Sequence, residues 1–408
     1  MSVWDDVVGQ EAAIGILRRA VGAAAELVRA GRGLGVDSAE DAGEAAAVSG
    51  GMTHAWLITG PPGSGRSTAA RAFAAALQCP EGGCGICHAC TTSLSGAHAD
   101  VSLVATEHVQ LRVDDVRPLI QLAQRSPSAG RWRVIVIEDA DRLNDSSGNV
   151  LLKAIEEPPP RTVWLLCAPG ADDVLTTIRS RCRRIGLRIP PVAAVADLLV
   201  RRDGADPAIA AFAARSAQSH IGLARRLALD EAARIRRREV LKLPSTLRSV
   251  GAAVLAAGQL VEVCAEESKA RTTERDAEEK SSLLRSLGAE GLSTLPPAVR
   301  TQVKQLEENQ KRRATRAQRD VLDRSLIDLL SLYRDVLVLQ LGANGREDSI
   351  ELVNAEMAEL IEAEARHSSA TATLRRMEAI GVARERIEAN VSPLMALESL
   401  MVQLRPAA

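Results

Sequence analysis

Residues 54–77 read HAWLITGPPGSGRSTAARAFAAAL, and this stretch decides the predicted fold. Its apolar start predicts a buried strand, and its Ala-rich end predicts a helix. Between them, residues 60–68 nearly match G-x-x-x-x-G-K-[ST], the loop whose backbone N–H groups bind phosphate. A strand, a glycine-rich loop and a helix in this order predict a nucleotide-phosphate site in an α/β domain.

The loop keeps most of the groups that bind phosphate. Its glycines permit backbone conformations that direct N–H groups inward, and the following helix adds its positive N-terminal end. Arg66 stands at the lysine position, where a planar guanidinium fits less well than a compact ammonium. We expect the loop to accept ATP or ADP with Mg²⁺, without the protein requiring it. The predicted contacts are Gly60, Gly63, Gly65, Arg66, Ser67 (at the Mg²⁺-ligating position) and Thr68.

A second phosphate-site motif lies in VIVIEDADRL, residues 134–143. A P-loop ATPase usually has Asp-Glu after the apolar run, for the metal ion and the attacking water, whereas this chain has Glu138-Asp139. Glu138 can still reach a Mg²⁺ shell. Asp139 is one methylene shorter than the expected base, so we predict weak hydrolysis or none.

Four of the seven cysteines lie close together as Cys79-x4-Cys84-x2-Cys87-x2-Cys90. This spacing can close a tetrahedral Zn²⁺ site, and four sulfur ligands leave no open coordination position. We therefore predict structural zinc in a module over residues 79–90. The alternatives are unrelated buried thiols or a redox pair.

An arginine-rich segment, TIRSRCRR, occupies residues 177–184, with four arginines in six residues. So many charges are unlike a core strand. The segment is either a basic surface patch with ion-pair partners or the source of an arginine that reaches a phosphate. The residue types alone do not choose between these two interpretations.

Strands and helices alternate over residues 1–189. Further strand candidates at 100–105, 133–139 and 162–168 are near-continuous apolar runs, typical of a parallel sheet with helices on both faces. The predicted helices lie at 11–30, 67–77, 113–125 and 146–156. A Gly- and Ala-rich segment at 31–51 predicts an insertion without regular periodicity.

Helix-type sequence follows RIPP at 188–191 and continues to the end of the chain. We expect a small helical unit at 190–243 and a larger helical domain at 244–408. Charge-dense stretches at 265–280 and 304–324 predict solvated helices or linkers rather than binding sites.

The overall charge and hydropathy exclude some classes of protein. The formal net charge of −1 excludes nucleic-acid binding by bulk charge, so such binding needs a local patch. No apolar run reaches the roughly 18 residues of a membrane span. The start, MSVWDDVVGQE, lacks the basic and apolar parts of a signal peptide. We expect a cytoplasmic protein that does not contact membranes.

Together these motifs resemble the clamp-loader AAA+ family of bacterial DNA polymerase III. Residues 4–20 resemble its adenine-side box, 54–68 its phosphate loop, and 134–168 its segment from the second phosphate motif to sensor 1. The cysteine module directly follows the phosphate-loop helix, as in the family. SRC at 180–182 resembles the arginine-finger motif. The resemblance is dense over residues 4–230 and weak beyond them.

The resemblance implies an AAA+ domain at 1–189, a helical lid domain at 190–243 and an all-helical oligomerisation collar at 244–408. It implies that Arg181 acts in trans on the ATP of an adjacent subunit. It also matches Arg225 to the sensor 2 arginine of the lid, although a solvated helix residue would look the same. The insertions at 31–51 and 265–320 depart from the family pattern, and their role stays open.

The departures from the family pattern fall on hydrolysis. They are Arg66, Glu138-Asp139 and the hydroxyl-free Cys167-Ala168-Pro169, whereas the SRC motif is kept. This combination resembles the δ′ type of subunit. It implies γ/τ and δ subunits, the β sliding clamp and primed DNA as partners in clamp loading. The alternatives are an ATP-hydrolysing γ/τ-type motor and, against the net charge, a DNA-binding scaffold.

Overall fold

The computed structural model describes residues 2–31, 51–105, 110–289, 296–342 and 350–406. The chain divides into two compact units, Met1–Leu229 and Asp230–Ala408. Most of the insertion expected at 31–51 lies outside the described residues. The three-domain division, with boundaries after 189 and 243, stays a prediction.

The first unit is built on a parallel sheet of five strands in the order β2-β3-β4-β1-β5. Every predicted strand is present, and β4 has the predicted bounds. The sheet is buried where β3 and β4 cross its centre, as expected of a parallel sheet with two covered faces. The strands are β1 Ala55–Thr59, β2 Val101–Val104, β3 Arg133–Ile137, β4 Thr162–Ala168 and β5 Arg183–Gly186.

Six helices accompany this sheet in the described part of the unit, and the four predicted ones are confirmed. Their two layers bury alternate side chains of each strand: Trp56 and Ile58 face one core cluster, and Ala55 and Leu57 face the other. The helices are α1 Glu11–Arg29, α2 Arg66–Gln78, α3 His88–Ser95, α4 Val113–Ala123, α5 Asp145–Glu156 and α6 Thr176–Arg179.

Strand β5 was missed because arginines fill the segment. It pairs only with β1 in the described sheet, and at this edge its arginines can reach solvent. Arg183 lies 5.0 Å from the ring centroid of Trp56 and donates a hydrogen bond to the Gly51 carbonyl. Ile185 is buried and joins the core.

Three short helices complete the first unit and confirm helical sequence after residues 188–191. Asp206 accepts hydrogen bonds from the first backbone N–H groups of the second of them, and Pro207 stands at its first position. The helices are α7 Val192–Asp203, α8 Pro207–Ser216 and α9 Ile221–Leu229.

The second unit is helical in its described residues, as predicted. Its core includes Leu322, Leu326 and Tyr333, all fully buried. The charge-dense stretches lie in α11 and α12, which contact each other, so they are helices rather than linkers. The helices are α10 Glu231–Thr246, α11 Val250–Ser286, α12 Pro297–Gln340, α13 Ala358–His367, α14 Ala370–Glu388 and α15 Pro393–Leu404. None of the helices in the described part of the chain combines the length and apolar character that crossing a membrane needs.

Candidate functional site

The glycine-rich loop leaves β1 at the carboxyl edge of the sheet and ends where α2 begins. Gly60 donates its backbone N–H to the carbonyl of Pro169 at 3.1 Å, which joins the loop to the end of β4. Gly63 and Gly65 have φ values of +83° and +90°. These are left-handed conformations that glycine adopts without strain, so the loop depends on both glycines.

Arg66 turns back onto the loop that precedes it. Its Nη1 donates a short hydrogen bond to the Gly60 carbonyl oxygen. Ser67 and Thr68 follow in the first turn of α2 and are partly buried. The guanidinium at the lysine position therefore binds a carbonyl of its own loop, with which a phosphate oxygen would compete.

The start of α9 rests on the same loop, a contact that the sequence did not indicate. A Cβ on Gly63 would lie 2.4 Å from Cγ of His220, so no larger residue fits there. The N–H of Ile221 approaches the Gly63 carbonyl at 3.5 Å. His220 also caps α9, because its Nδ1 accepts a hydrogen bond from the Leu223 N–H at 3.3 Å.

Glu138 stands at the end of β3 and is paired with a basic residue of α2. Its Oε1 accepts hydrogen bonds from Nε and Nη2 of Arg71, at 3.0 and 2.8 Å. The Glu138 side chain is 15% exposed. Asp139 lies 3.9 Å from Arg142. Of the two carboxylates expected to serve Mg²⁺ and water, Glu138 already neutralises a neighbouring cation, so its capacity for a metal ion is reduced.

Cys167 is close to these groups at the end of β4. It pairs with Ile58 of β1 in the register of the sheet. Burial raises the pKa of its thiol to about 12, with a smaller contribution from Glu138. The sheet thus places Gly60, Glu138 and Cys167 at one edge, where Cys167 contributes a buried, neutral thiol.

A cavity of about 470 Å³ adjoins the N-terminal segment that resembles the adenine-side box. Trp4, Ile14 and Arg18 line one side, and residues of α7 line the other. Gln10 connects this segment to the phosphate loop, because its Nε2 donates to the Ser64 carbonyl at 3.3 Å and to the Arg188 carbonyl at 2.6 Å. The volume is typical of a small-molecule pocket.

The described contact of Arg225 is with Asp203 and not with the phosphate loop. Its Nε donates to Oδ1 of Asp203, at the end of α7, at 2.9 Å, and 56% of the side chain is exposed. His220 and Ile221, at the start of α9, are the residues described above in contact with the loop. The sensor 2 role of Arg225 stays a prediction.

The arginine-rich segment separates into residues with different partners. Arg179, the last residue of α6, pairs with Asp172 in the loop before that helix. Arg183 stacks over the ring of Trp56. Arg181 donates from Nε to Oε1 of Glu156 at 2.5 Å and keeps 40% of its side chain exposed. Arg181 is therefore held by the chain and also accessible from outside it.

The four predicted cysteines meet in space. Their sulfur atoms all lie within 4.8 Å of one another, and the Cys79 sulfur is 3.7 Å from that of Cys84 and 3.8 Å from that of Cys87. Tetrahedral zinc with Zn–S bonds of about 2.3 Å requires sulfur atoms roughly 3.8 Å apart. The cluster, completed by Cys90, could hold a metal ion such as zinc.

The environment of Cys84 favours metal binding. Backbone hydrogen bonds from Ile86 and Cys87 lower the pKa of the Cys84 thiol to about 6, which favours the thiolate that metals bind. Residues near the start of the chain contact the module. The Val3 N–H and the Ser2 hydroxyl both donate to the Gly83 carbonyl at 3.1 Å.

Comparison with known proteins agrees with these features. A family model described as "DNA polymerase III, delta subunit" matches residues 40–191. Over 161 residues the chain is 36% identical to DNA polymerase III subunit delta' of Pseudomonas aeruginosa, a match covering 38% of this chain and 49% of that protein. It is 36% identical over 144 residues to DNA polymerase III subunit delta' of Escherichia coli. This match covers 34% of this chain and 43% of that protein.

The γ/τ subunits are similar as well. Over 155 residues the chain is 32% identical to DNA polymerase III subunit gamma/tau of Mycobacterium bovis, covering 37% of this chain and 27% of that protein. The chain spans half the length or less of these curated relatives. The matches confirm the resemblance to clamp-loader subunits of the AAA+ family, and they do not separate the δ′ type from the γ/τ type.

Proposed function

We propose, from this relationship to clamp-loader subunits of DNA polymerase III, that the protein is a δ′-type subunit. It presents Arg181 to the ATP site of a neighbouring γ/τ subunit and does not turn over ATP itself. In this role it helps to load the β sliding clamp onto primed DNA, together with γ/τ and δ subunits, in the cytoplasm.

The observation that carries this proposal is the set of contacts at the phosphate loop. Arg66 binds the Gly60 carbonyl, Glu138 is paired with Arg71, and Cys167 stands where a hydroxyl is expected. Each change affects a group that a P-loop ATPase uses to hold the γ-phosphate, the metal ion or the attacking water. The loop can still accept ATP or ADP, but the groups for its hydrolysis are altered together.

Arg181 supports the other half of the proposal. An arginine that acts in trans must be ordered and still accessible to a partner. Arg181 has a defined hydrogen bond to Glu156 and a side chain that is 40% exposed. A guanidinium suits this task because it stays charged and presents several donors to phosphate oxygens.

The second candidate is an ATP-hydrolysing γ/τ-type motor subunit. The similarity to gamma/tau of Mycobacterium bovis favours it, as do the glycines of the loop and Ser67. The two candidates differ in the activity of the purified chain, because a motor subunit hydrolyses ATP at its own loop.

The first prediction concerns that activity. We expect the purified chain, with Mg²⁺ and saturating ATP, to release phosphate no faster than a Glu138→Ala/Asp139→Ala double variant. A matched preparation of a γ/τ subunit provides the positive control. Turnover by the wild-type chain that the double variant abolishes would favour the motor candidate.

We further propose that the ion in the four-cysteine module is Zn²⁺ and that its role is structural. The sulfur separations fit a tetrahedral ion, and four thiolates leave no position for a substrate or water. When bound, the ion would cross-link the end of α2 to the start of α3, beside the core of the first unit.

A further inference from the structure

We propose that Glu156 is a positioning residue for Arg181: it fixes the guanidinium in the orientation in which Arg181 meets the phosphate of a neighbouring subunit. This inference rests on the proposed trans role of Arg181. It concerns a second residue, on another element, to which neither the family resemblance nor the matching relatives assign a role.

The contacts of Arg181 use two of the three nitrogens of its guanidinium. Nε donates to Oε1 of Glu156 at 2.5 Å, and Nη1 donates to the Thr177 carbonyl at 2.9 Å and to the Ser180 hydroxyl at 3.1 Å. Within the described part of the chain, Nη2 has no hydrogen-bond partner. Its two N–H groups can therefore donate to an oxygen atom of a bound partner.

The elements that carry the pair are packed together closely. Gly148 of α5 lies against the segment before Arg181, because a Cβ there would be 2.2 Å from Cδ1 of Leu175. Ile178 in α6 is fully buried in the same core. Glu156 is the last residue of α5, so this packing places the helix end that carries it beside the arginine-rich segment.

The residue after Arg181 anchors the segment from the other side. Cys182 is buried in the core, and burial raises the pKa of its thiol to about 12, so it is a neutral anchor. Arg181 is exposed between this anchor and α6. The backbone at Arg181 is thus held on both sides. Glu156 restrains the remaining freedom of Arg181, which is rotation about the four bonds of its side chain.

The ion pair between Arg181 and Glu156 orients the guanidinium more than it stabilises the fold. Both side chains are about two-fifths exposed, 40% for Arg181 and 41% for Glu156, and exposed ion pairs add little to folding. An arginine that is already ordered loses less rotational freedom when it docks on a phosphate. Small displacements of a positioned catalytic group are costly to the rate of the chemical step.

The opposite arrangement would be a restraint that withholds the arginine. A carboxylate beside a guanidinium also weakens the attraction of the guanidinium for phosphate. If Glu156 acted in this way, removing it would raise ATP turnover by the neighbouring subunit. The two arrangements predict changes of opposite sign when Glu156 is removed, so turnover by the neighbouring subunit separates them.

The experiment uses the complex assembled with γ/τ and δ subunits and measures ATP turnover stimulated by the β clamp and primed DNA. The variants are Glu156→Ala, Glu156→Gln, Arg181→Ala and the double variant Glu156→Ala/Arg181→Ala. Glu157→Ala is the matched control. Glu157 is the adjacent exposed carboxylate, and its side chain has no ion pair among the described residues.

We expect Glu156→Ala to lower kcat by roughly threefold to tenfold with little change in KM for ATP. Glu156→Gln should retain most activity, because its amide oxygen still accepts the Nε hydrogen bond. Glu157→Ala should match the wild type. The double variant should be no slower than Arg181→Ala alone, since Glu156 acts only through Arg181.

Three results would overturn the inference: unchanged or faster turnover with Glu156→Ala, loss with Glu157→Ala of the same size, or additive losses in the double variant. If Arg181→Ala itself has no effect, the proposed function fails. If Arg181→Ala lowers turnover and Glu156→Ala does not, only the role of Glu156 is wrong.

Discussion

Arg66 is the residue whose meaning changed most between sequence and structure. In the sequence it replaces the lysine of a phosphate loop with a bulkier, planar cation. In the structure its guanidinium binds the Gly60 carbonyl, and His220 lies over Gly63. The loop therefore contacts its own chain through both residues, and a phosphate bound there would have to compete with the hydrogen bond from Arg66.

Replacing Arg66 tests this competition. We expect Arg66→Lys to bind a fluorescent ATP analogue with Mg²⁺ about fivefold more tightly, the equivalent of roughly 1 kcal/mol for the hydrogen bond to Gly60. We also expect no hydrolysis by this variant, because Glu138 and Cys167 are unchanged. Arg184→Lys, at an exposed position in β5, is the control. Unchanged or weaker binding by Arg66→Lys would show that this hydrogen bond does not limit affinity.

Sequence patterns indicated candidate site residues where their interpretation depends on neighbouring positions in the sequence. The loop glycines follow from the strand before them and the helix after them, and the cysteines follow from their spacing. His220 could not be found in this way, because its role comes from a contact with Gly63 across 157 positions of the chain. The partner of Arg181 was missed for the same reason: Glu156 lies on a different element.

At the scale of elements, the cysteine module joins α2 and α3. We expect the purified protein to contain one zinc ion per chain by elemental analysis. Cys87→Ser should lose most of it and melt at a lower temperature, because structural zinc contributes to folding. Cys264→Ser, in the second unit, should keep its full zinc content. Wild-type protein with far less than one zinc ion per chain would contradict the assignment.

The paired helices α11 and α12 allow a second test at this scale. Arg313 is 13% exposed and donates to Asp276 at 2.5 Å and to Glu279 at 3.0 Å. The hydrogen bonds from Arg313 lower the pKa of Glu279 from 4.5 to about 2. Because the folded-state pKa is depressed, the stability from this pair is present above pH 4.5 and is lost as pH falls toward 2.

We therefore expect Arg313→Ala to reduce the free energy of unfolding by about 1 kcal/mol at pH 7. The difference from the wild type should shrink between pH 4.5 and 2 in denaturant titrations. Arg312→Ala, which removes the neighbouring exposed arginine, should have little effect at either pH. A loss with Arg313→Ala that does not change with pH would contradict this role for Glu279.

Strands with mainly apolar sequence were predicted well, and the arginine-rich edge strand β5 was not. β4 is apolar after Thr162 and buried along its whole length, so its sequence alone defines it. β5 has two arginines in four residues, and only its pairing with β1 makes it a strand. Propensity cannot identify such an edge strand, since the stabilising hydrogen bonds come from a distant segment.

At the scale of the whole molecule, the sequence predicted the order of an α/β region followed by helices. The boundary expected after residue 243 stays a prediction, and in the structure α10 continues through Pro244 to Thr246. This helix belongs to the second unit. Buried Arg237 explains why, because it donates to Asp328 at 2.8 Å and to Asn354 at 2.5 Å.

The central claim is that this chain acts through Arg181 on the ATP of a neighbour. The most direct measurement is ATP turnover by the complex assembled with γ/τ and δ subunits, stimulated by the β clamp and primed DNA, with Arg181→Ala in this chain. We predict a loss of at least roughly tenfold, since an arginine finger contributes 10³ or more at its own site. Arg184→Ala should leave turnover unchanged. Full turnover with Arg181→Ala would contradict the account.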